Sequence, residues 1–193
     1  MKVSSFNKIR FVLHILFYKK CPRRKIIEED IDHYAEVVGL SGSYESKMRF
    51  LLDKRPEFRN LFYYRLSRAH GMLWILKLIA RPISTLYLFT PEIGPGLFIQ
   101  HGFATILCAQ SIGNNCHINQ QVTVGYKGSD APVIGNNVTI SCGAKVLGGV
   151  KVGDNVVIGA NAVVVKDVPS NTTVVGVPAY IIKKDGVRVK EEL

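Results

Sequence analysis

Residues 134–164 read IGNNVT ISCGAK VLGGVK VGDNVV IGANAV V, so that Ile134, Ile140, Val146, Val152, Ile158 and Val164 fall six apart. A strict short period is the mark of a solenoid, in which each unit buries its apolar side only against its neighbours. The same spacing holds for Ile112, Ile118 and Val124, and for Ile93 and Ile99, so the repeat takes in about half of the chain. Gly and Asn fill most intervals, and both tolerate the positive φ that a corner at every sixth residue demands. Val and Ile suit short strands that stack on their equivalents in the next coil. A second apolar site, four residues after the first, is carried by Leu97, Phe103, Cys116, Val122, Val138, Ala144, Val150, Val156, Ala162 and Val168. Two inward side chains per hexad predict a narrow prism with three flat sides.

Outside the repeat the composition changes. Of the 193 residues 47% are hydrophobic, enough for one repeat domain and a smaller partner. Residues 1–90 hold 17 Lys/Arg against 8 Asp/Glu, whereas 91–193 hold 8 against 7, so the basic excess belongs to the N-terminal part. Phe6 to Tyr18 is apolar but short and interrupted by Lys8, Arg10 and His14, then followed by Lys19, Lys20, Arg23, Arg24 and Lys25. That is neither a membrane span nor a signal peptide. It predicts a helix that packs on its neighbours or rests by its basic flank on an anionic membrane surface. Nucleic acid is not an expected partner, because no binding motif accompanies the charge.

Further on, Phe58, Leu61, Phe62, Arg65 and Leu66 lie at helical spacing, and a second apolar stretch runs from Met72 to Ala80 before Pro82. The expected class is α+β: a helical N-terminal cap over 1–88, the β-helix over 89–182 and a tail over 183–193. The four cysteines, Cys21, Cys108, Cys116 and Cys142, form no C-x-x-C pair. They predict free thiols in a reducing, cytoplasmic setting, the inner face of the membrane included, with Cys116 packed inside the repeat.

Residues 93–102 (IGPGLFIQHG), 121–125 (QVTVG), the Val168-Pro169 pair and 176–179 (GVPA) carry a resemblance to the hexapeptide-repeat acyltransferases. Within them the chain is most similar to the serine acetyltransferases and their relatives that acetylate surface polysaccharides. The resemblance implies a left-handed parallel β-helix, a homotrimer whose active site lies in the cleft between subunits, and acetyl-CoA as co-substrate with no metal. The hand comes from the resemblance alone, since the general rule for parallel crossovers is right-handed.

His101 in the matched segment is the implied general base, because imidazole titrates near neutrality and can take the proton of a hydroxyl as it attacks a thioester. Glu92 is the only acid between Glu57 and Asp130, and so the candidate to orient it. The serine enzymes place an Asp before this His and an Arg-His pair before the Pro after the long loop; here stand Gln100 and Asp130-Ala131. Without those charges, Gln100, Asn119, Gln120 and Asp130 read as sugar-binding polar groups. The loop 126–131, which interrupts the register by four, is placed to reach a neighbouring subunit. For the donor the resemblance implies Gly125 and Tyr126 near the thioester, Ser141 and Cys142 on the next coil, then Gly159 and Ala160, with Lys166 and Lys183 for the phosphates of CoA. The expected activity is O-acetylation of a sugar or surface-glycan precursor. Serine O-acetylation for cysteine synthesis is the alternative, and a non-catalytic or metal-binding β-helix the third reading.

Overall fold

The computed structural model describes residues 9–67 and 73–193, which fall in two compact units, Met1–Ile83 and Ser84–Leu193. The boundary precedes the expected 88/89 because the first strand of the solenoid already starts at Leu86. Phe6 to Lys8 and Met72 of the expected helical stretches lie outside the described residues.

The first unit contains α1 (Val12–Lys20), α2 (Arg24–Val38), α3 (Tyr44–Lys54), α4 (Pro56–Ser67) and α5 (Leu73–Ile79). Their ends follow from local chemistry. Gly39, at φ 69°, closes α2 in the left-handed conformation. Ser43 Oγ accepts the N–H of Ser46 at the start of α3. Proline opens α4, where its missing N–H costs nothing. Phe11, Tyr18, Tyr34, Phe58 and Phe62 fill the core.

Two polar features lie within that core. Asp30 and Arg65, almost wholly buried, form a two-pronged ion pair, with Nε and Nη2 donating to the two carboxylate oxygens at 2.8 and 3.1 Å. His14 is fully buried with Nε2 3.0 Å from the Tyr63 hydroxyl, which itself lies 2.7 Å from the Ala80 carbonyl. Since the single hydroxyl proton goes to a carbonyl, the imidazole donates from Nε2.

The second unit is the solenoid. Its first sheet stacks β1 (Leu86–Leu88), β4 (Thr105–Leu107), β7 (Thr123–Gly125), β10 (Lys145–Leu147) and β13 (Val163–Val164). The second stacks β2 (Glu92–Ile93), β5 (Ser111–Ile112), β8 (Val133–Ile134) and β11 (Lys151–Val152). The third stacks β3 (Phe98–Ile99), β6 (His117–Ile118), β9 (Thr139–Ile140), β12 (Val157–Ile158) and β14 (Thr172–Val175) in parallel. Antiparallel β15 (Tyr180–Lys184) and β16 (Val187–Glu192) extend the third sheet. Most of the tail over 183–193 lies on these two strands.

Three hexads make one coil, so Val146 lies beside Val164 and Ile140 beside Ile158. The inward positions are buried as expected, with one exception: Phe103 is 47% exposed. From Ile99 to the next inward residue of the stack, Leu107, the chain spends eight residues instead of six, and Leu107 pairs with Leu88 and Val124. The two extra residues bulge out in the turn at 100–104 and carry Phe103 with them.

Coil spacing explains the glycines of one corner. A Cβ on Gly113 would stand 2.5 Å from the carbonyl oxygen of Gly135 in the next coil. Beside them runs a column of left-handed asparagines, Asn115, Asn137, Asn155 and Asn171. Their amides bond along the axis, Asn137 to Asn155 at 3.0 Å and Asn155 to Asn171 at 2.9 Å.

Candidate active site

The corner from the third sheet to the first gathers most of the residues singled out above. Gln100, Asn119, Ser141 and Gly159 each follow a strand of the third sheet and donate their N–H to the coil beyond, at the carbonyls of Ile118, Ile140, Ile158 and Val174, at 2.8 to 3.0 Å. His101, Gln120, Cys142 and Ala160 come next in line. Parallel strands lie about 4.8 Å apart, so these residues form a column along the axis, one step per coil.

His101 heads the column. It is exposed and adopts φ 65°, a left-handed conformation that His tolerates better than most non-glycine residues. The conformation comes from the inserted turn, which is closed by the N–H of Gly102 bonding to the Gln100 carbonyl at 2.8 Å. The imidazole thus stands clear of the coil on a backbone locked by sheet on both sides. Gln100 is half-buried, and its Oε1 lies 3.2 Å from Nε2 of His117 on β6, whose ring packs edge-on against Phe98 at 4.6 Å.

Glu92 is not brought to His101. It is exposed on β2 in the second sheet, one full side of the prism away, and no hydrogen bond or ion pair joins the two residues. Asn119 is half-buried, and its Oδ1 is buried without a hydrogen-bond partner among the described residues, so that oxygen is not offered at the surface. Gln120 and Ser141 are half-buried on the column. Gly159 explains itself structurally, since a Cβ there would come within 2.7 Å of the Val175 side chain.

Gly125, Tyr126, Asp130 and Lys166 occupy a different corner, from the first sheet to the second. The loop 126–131 is a tight ribbon in which Lys127 and Asp130 exchange backbone hydrogen bonds of 3.0 and 3.3 Å, with Gly128 at φ 65° at its tip. Tyr126 is 55% exposed beside it. Lys166 borders a cavity of about 550 Å³ formed with Val165, the turn at 177–180 and the strand end at 190–193, and its Nζ donates to the Leu193 carbonyl at 2.5 Å. Lys183 is exposed on β15 and does not line this cavity. Lys190 does, a residue that no sequence motif marks. The candidate residues therefore lie on two separate corners of the chain: an imidazole with a column of small and polar residues on one, and a projecting loop with an aromatic ring on the other.

No group of three His, Cys, Asp or Glu able to hold a metal occurs among the described residues. Cys116 is buried, and burial pushes its thiol up to about 11, which keeps it an unreactive packing group.

Residues 131–166 match the family model for the bacterial transferase hexapeptide (six repeats). The chain is 50% identical over 103 residues to a serine acetyltransferase of Staphylococcus aureus strain Mu50, a match covering 51% of this chain and 48% of the relative. The match thus spans about half the length of that relative. Among solved structures, the serine acetyltransferase of Neisseria gonorrhoeae superposes with a TM-score of 0.65 at 27% identity, covering 86% of this chain and 68% of the other. A soybean serine acetyltransferase complexed with serine gives 0.63 at 28%, covering 82% and 69%. The resemblance to the hexapeptide-repeat acyltransferases holds, with helices preceding a left-handed parallel β-helix.

Proposed function

We propose that this chain is an acetyl-CoA-dependent O-acetyltransferase acting on L-serine, with His101 as general base. What carries the reading is the position of His101, exposed at the head of a corner whose later coils present Ser141, Cys142, Gly159 and Ala160. Small side chains let a thioester-bearing arm lie against backbone N–H and C=O groups. In the step, the acceptor oxygen attacks the thioester carbonyl carbon while the imidazole takes its proton. The tetrahedral intermediate then collapses, the C–S bond breaks, and the imidazolium returns the proton to the departing sulfur. Backbone N–H groups of the corner are the candidate oxyanion donors. Lys166, and Lys190 beside it, suit the nucleotide phosphates as point charges.

The working form is a homotrimer. A loop and aromatic ring on one corner and an imidazole on another complete a cleft only when two copies meet. Glu92, distant from His101 within the chain, is then a candidate to serve a neighbour's site.

Serine is favoured over the sugar expected first because the relatives named above are serine acetyltransferases. Asp130 and Ala131 favour the sugar reading, since neither side chain can pair with a carboxylate. The test follows CoA release from acetyl-CoA with L-serine and with a panel of sugars. Serine-dependent release supports the first acceptor, and sugar-dependent release alone replaces it by the second. No release with either removes the activity.

A further inference from the structure

The helical unit leaves six large apolar side chains in water on two neighbouring helices. Val12, Leu13 and Leu16 on α1, Ile9 just before it, and Trp74 and Leu78 on α5 are between 40 and 77% exposed. The opposite faces of the same helices are already used: Ile15 and Tyr18 on α1, and Leu73 and Leu76 on α5, are buried in the core. A helix needs one apolar face to fold on its neighbours, so a second one has another partner.

The two helices share one support. Arg10 Nη2 donates to the Ile79 carbonyl at 3.0 Å, and the Tyr63 hydroxyl of α4 stands within 3.0 Å of both His14 Nε2 and the Leu76 carbonyl. Both helices therefore meet at Tyr63, and Arg10 ties the start of one to the end of the other.

Charge identifies the partner. Residues 9–27 and 73–91 contain no Asp or Glu at all, while Lys20, Arg23, Lys77 and Arg81 are exposed around the apolar face. Of the neighbouring cations, Arg10, Lys19 and Arg24 pair with Asp53, Glu45 and Glu28 at 3.6, 2.7 and 2.8 Å, all acids from outside these two stretches. A second copy of this face would bring like charges together. An anionic lipid surface would meet the same charges favourably, and the headgroup zone is where Trp is preferred. No described helix is long and apolar enough to cross a membrane.

We propose that α1 and α5 form a monotopic docking face that lies on an anionic bilayer, its apolar side chains in the headgroup–acyl boundary and its lysines and arginines among the headgroups. The inference is independent of the acceptor.

Trp74 is the single tryptophan of the chain and reports directly on the contact. The full chain is titrated with phosphatidylglycerol/phosphatidylcholine vesicles, with and without brominated acyl chains, and with pure phosphatidylcholine. The expected result is a blue shift of emission and quenching by the brominated chains in anionic vesicles, weakened by 0.5 M salt. The double variants Leu16→Ser/Leu78→Ser and Lys20→Glu/Lys77→Glu each lower the partition coefficient by about 10-fold or more with the melting temperature kept. Absence of shift and quenching overturns the proposal. So does a blue shift that grows with protein concentration without lipid, which assigns the face to a second copy.

Discussion

Nε2 of His117 stands 3.2 Å from Oε1 of Gln100, so a ring on the second coil holds the side chain immediately before His101. The amide oxygen can only accept, hence His117 donates. His117→Phe keeps the ring packed on Phe98 and removes the tether. The expected outcome is a fall of about 10-fold in kcat/KM, because the inserted turn is no longer fixed, with the melting temperature nearly unchanged. Wild-type kinetics in this variant remove the positioning role.

His101→Asn keeps a residue suited to φ 65° while deleting the base. Turnover should drop by at least about 100-fold with acetyl-CoA binding retained, as read by calorimetry. Equal loss of binding shows that the turn itself has collapsed, and unchanged turnover removes His101 from the chemistry.

Gly113→Ala tests the coil spacing. The added Cβ meets the Gly135 carbonyl oxygen at 2.5 Å, backbone that cannot rotate away. A loss of about 1–3 kcal/mol in stability is expected from overpacking, measured by chemical denaturation of the solenoid. Gly128→Ala, with open space around it, should cost only the strain of a positive φ.

Asp30→Asn should destabilise the helical unit by about 3–5 kcal/mol, since Arg65 is left charged and buried without its counter-ion. The double variant Asp30→Leu/Arg65→Met should recover most of this. If the single variant melts like wild type, the pair contributes little.

Burial pushes His14 down to about 4 from an ordinary 6.5. The folded unit holds a neutral ring, and the unfolded chain takes up a proton near pH 6.5. Stability from this group is therefore complete above pH 6.5 and lost as pH falls toward 4, by about 3 kcal/mol across the window. Trp74 emission during urea unfolding at pH 7.5 and 4.5 checks it: wild type should lose more stability than His14→Phe. Equal losses mean another group titrates.

The hexads were readable because every inward position of the solenoid is enforced by burial against two neighbours, as with Val146 between Val124 and Val164. Phe103 misled because its apolar side chain mimics an inward residue, while the two-residue insertion that turns it outward has no local signature. The candidate residues themselves were legible one by one. Their division between two corners was not, since it depends on counting residues through that irregular coil and through the loop at 126–131. The Asp30–Arg65 pair spans 35 positions between helices, beyond any spacing rule.

The antiparallel strands β15 and β16 leave the last coil facing Arg188, Lys190, Glu191 and Glu192 rather than another ledge of valines. A repeat that stacks on itself has no intrinsic reason to stop, and a bare final coil would template the first coil of the next molecule into a fibre. Reversing the strand direction and charging the outer edge of the third sheet disfavours the addition of a further parallel strand at that edge.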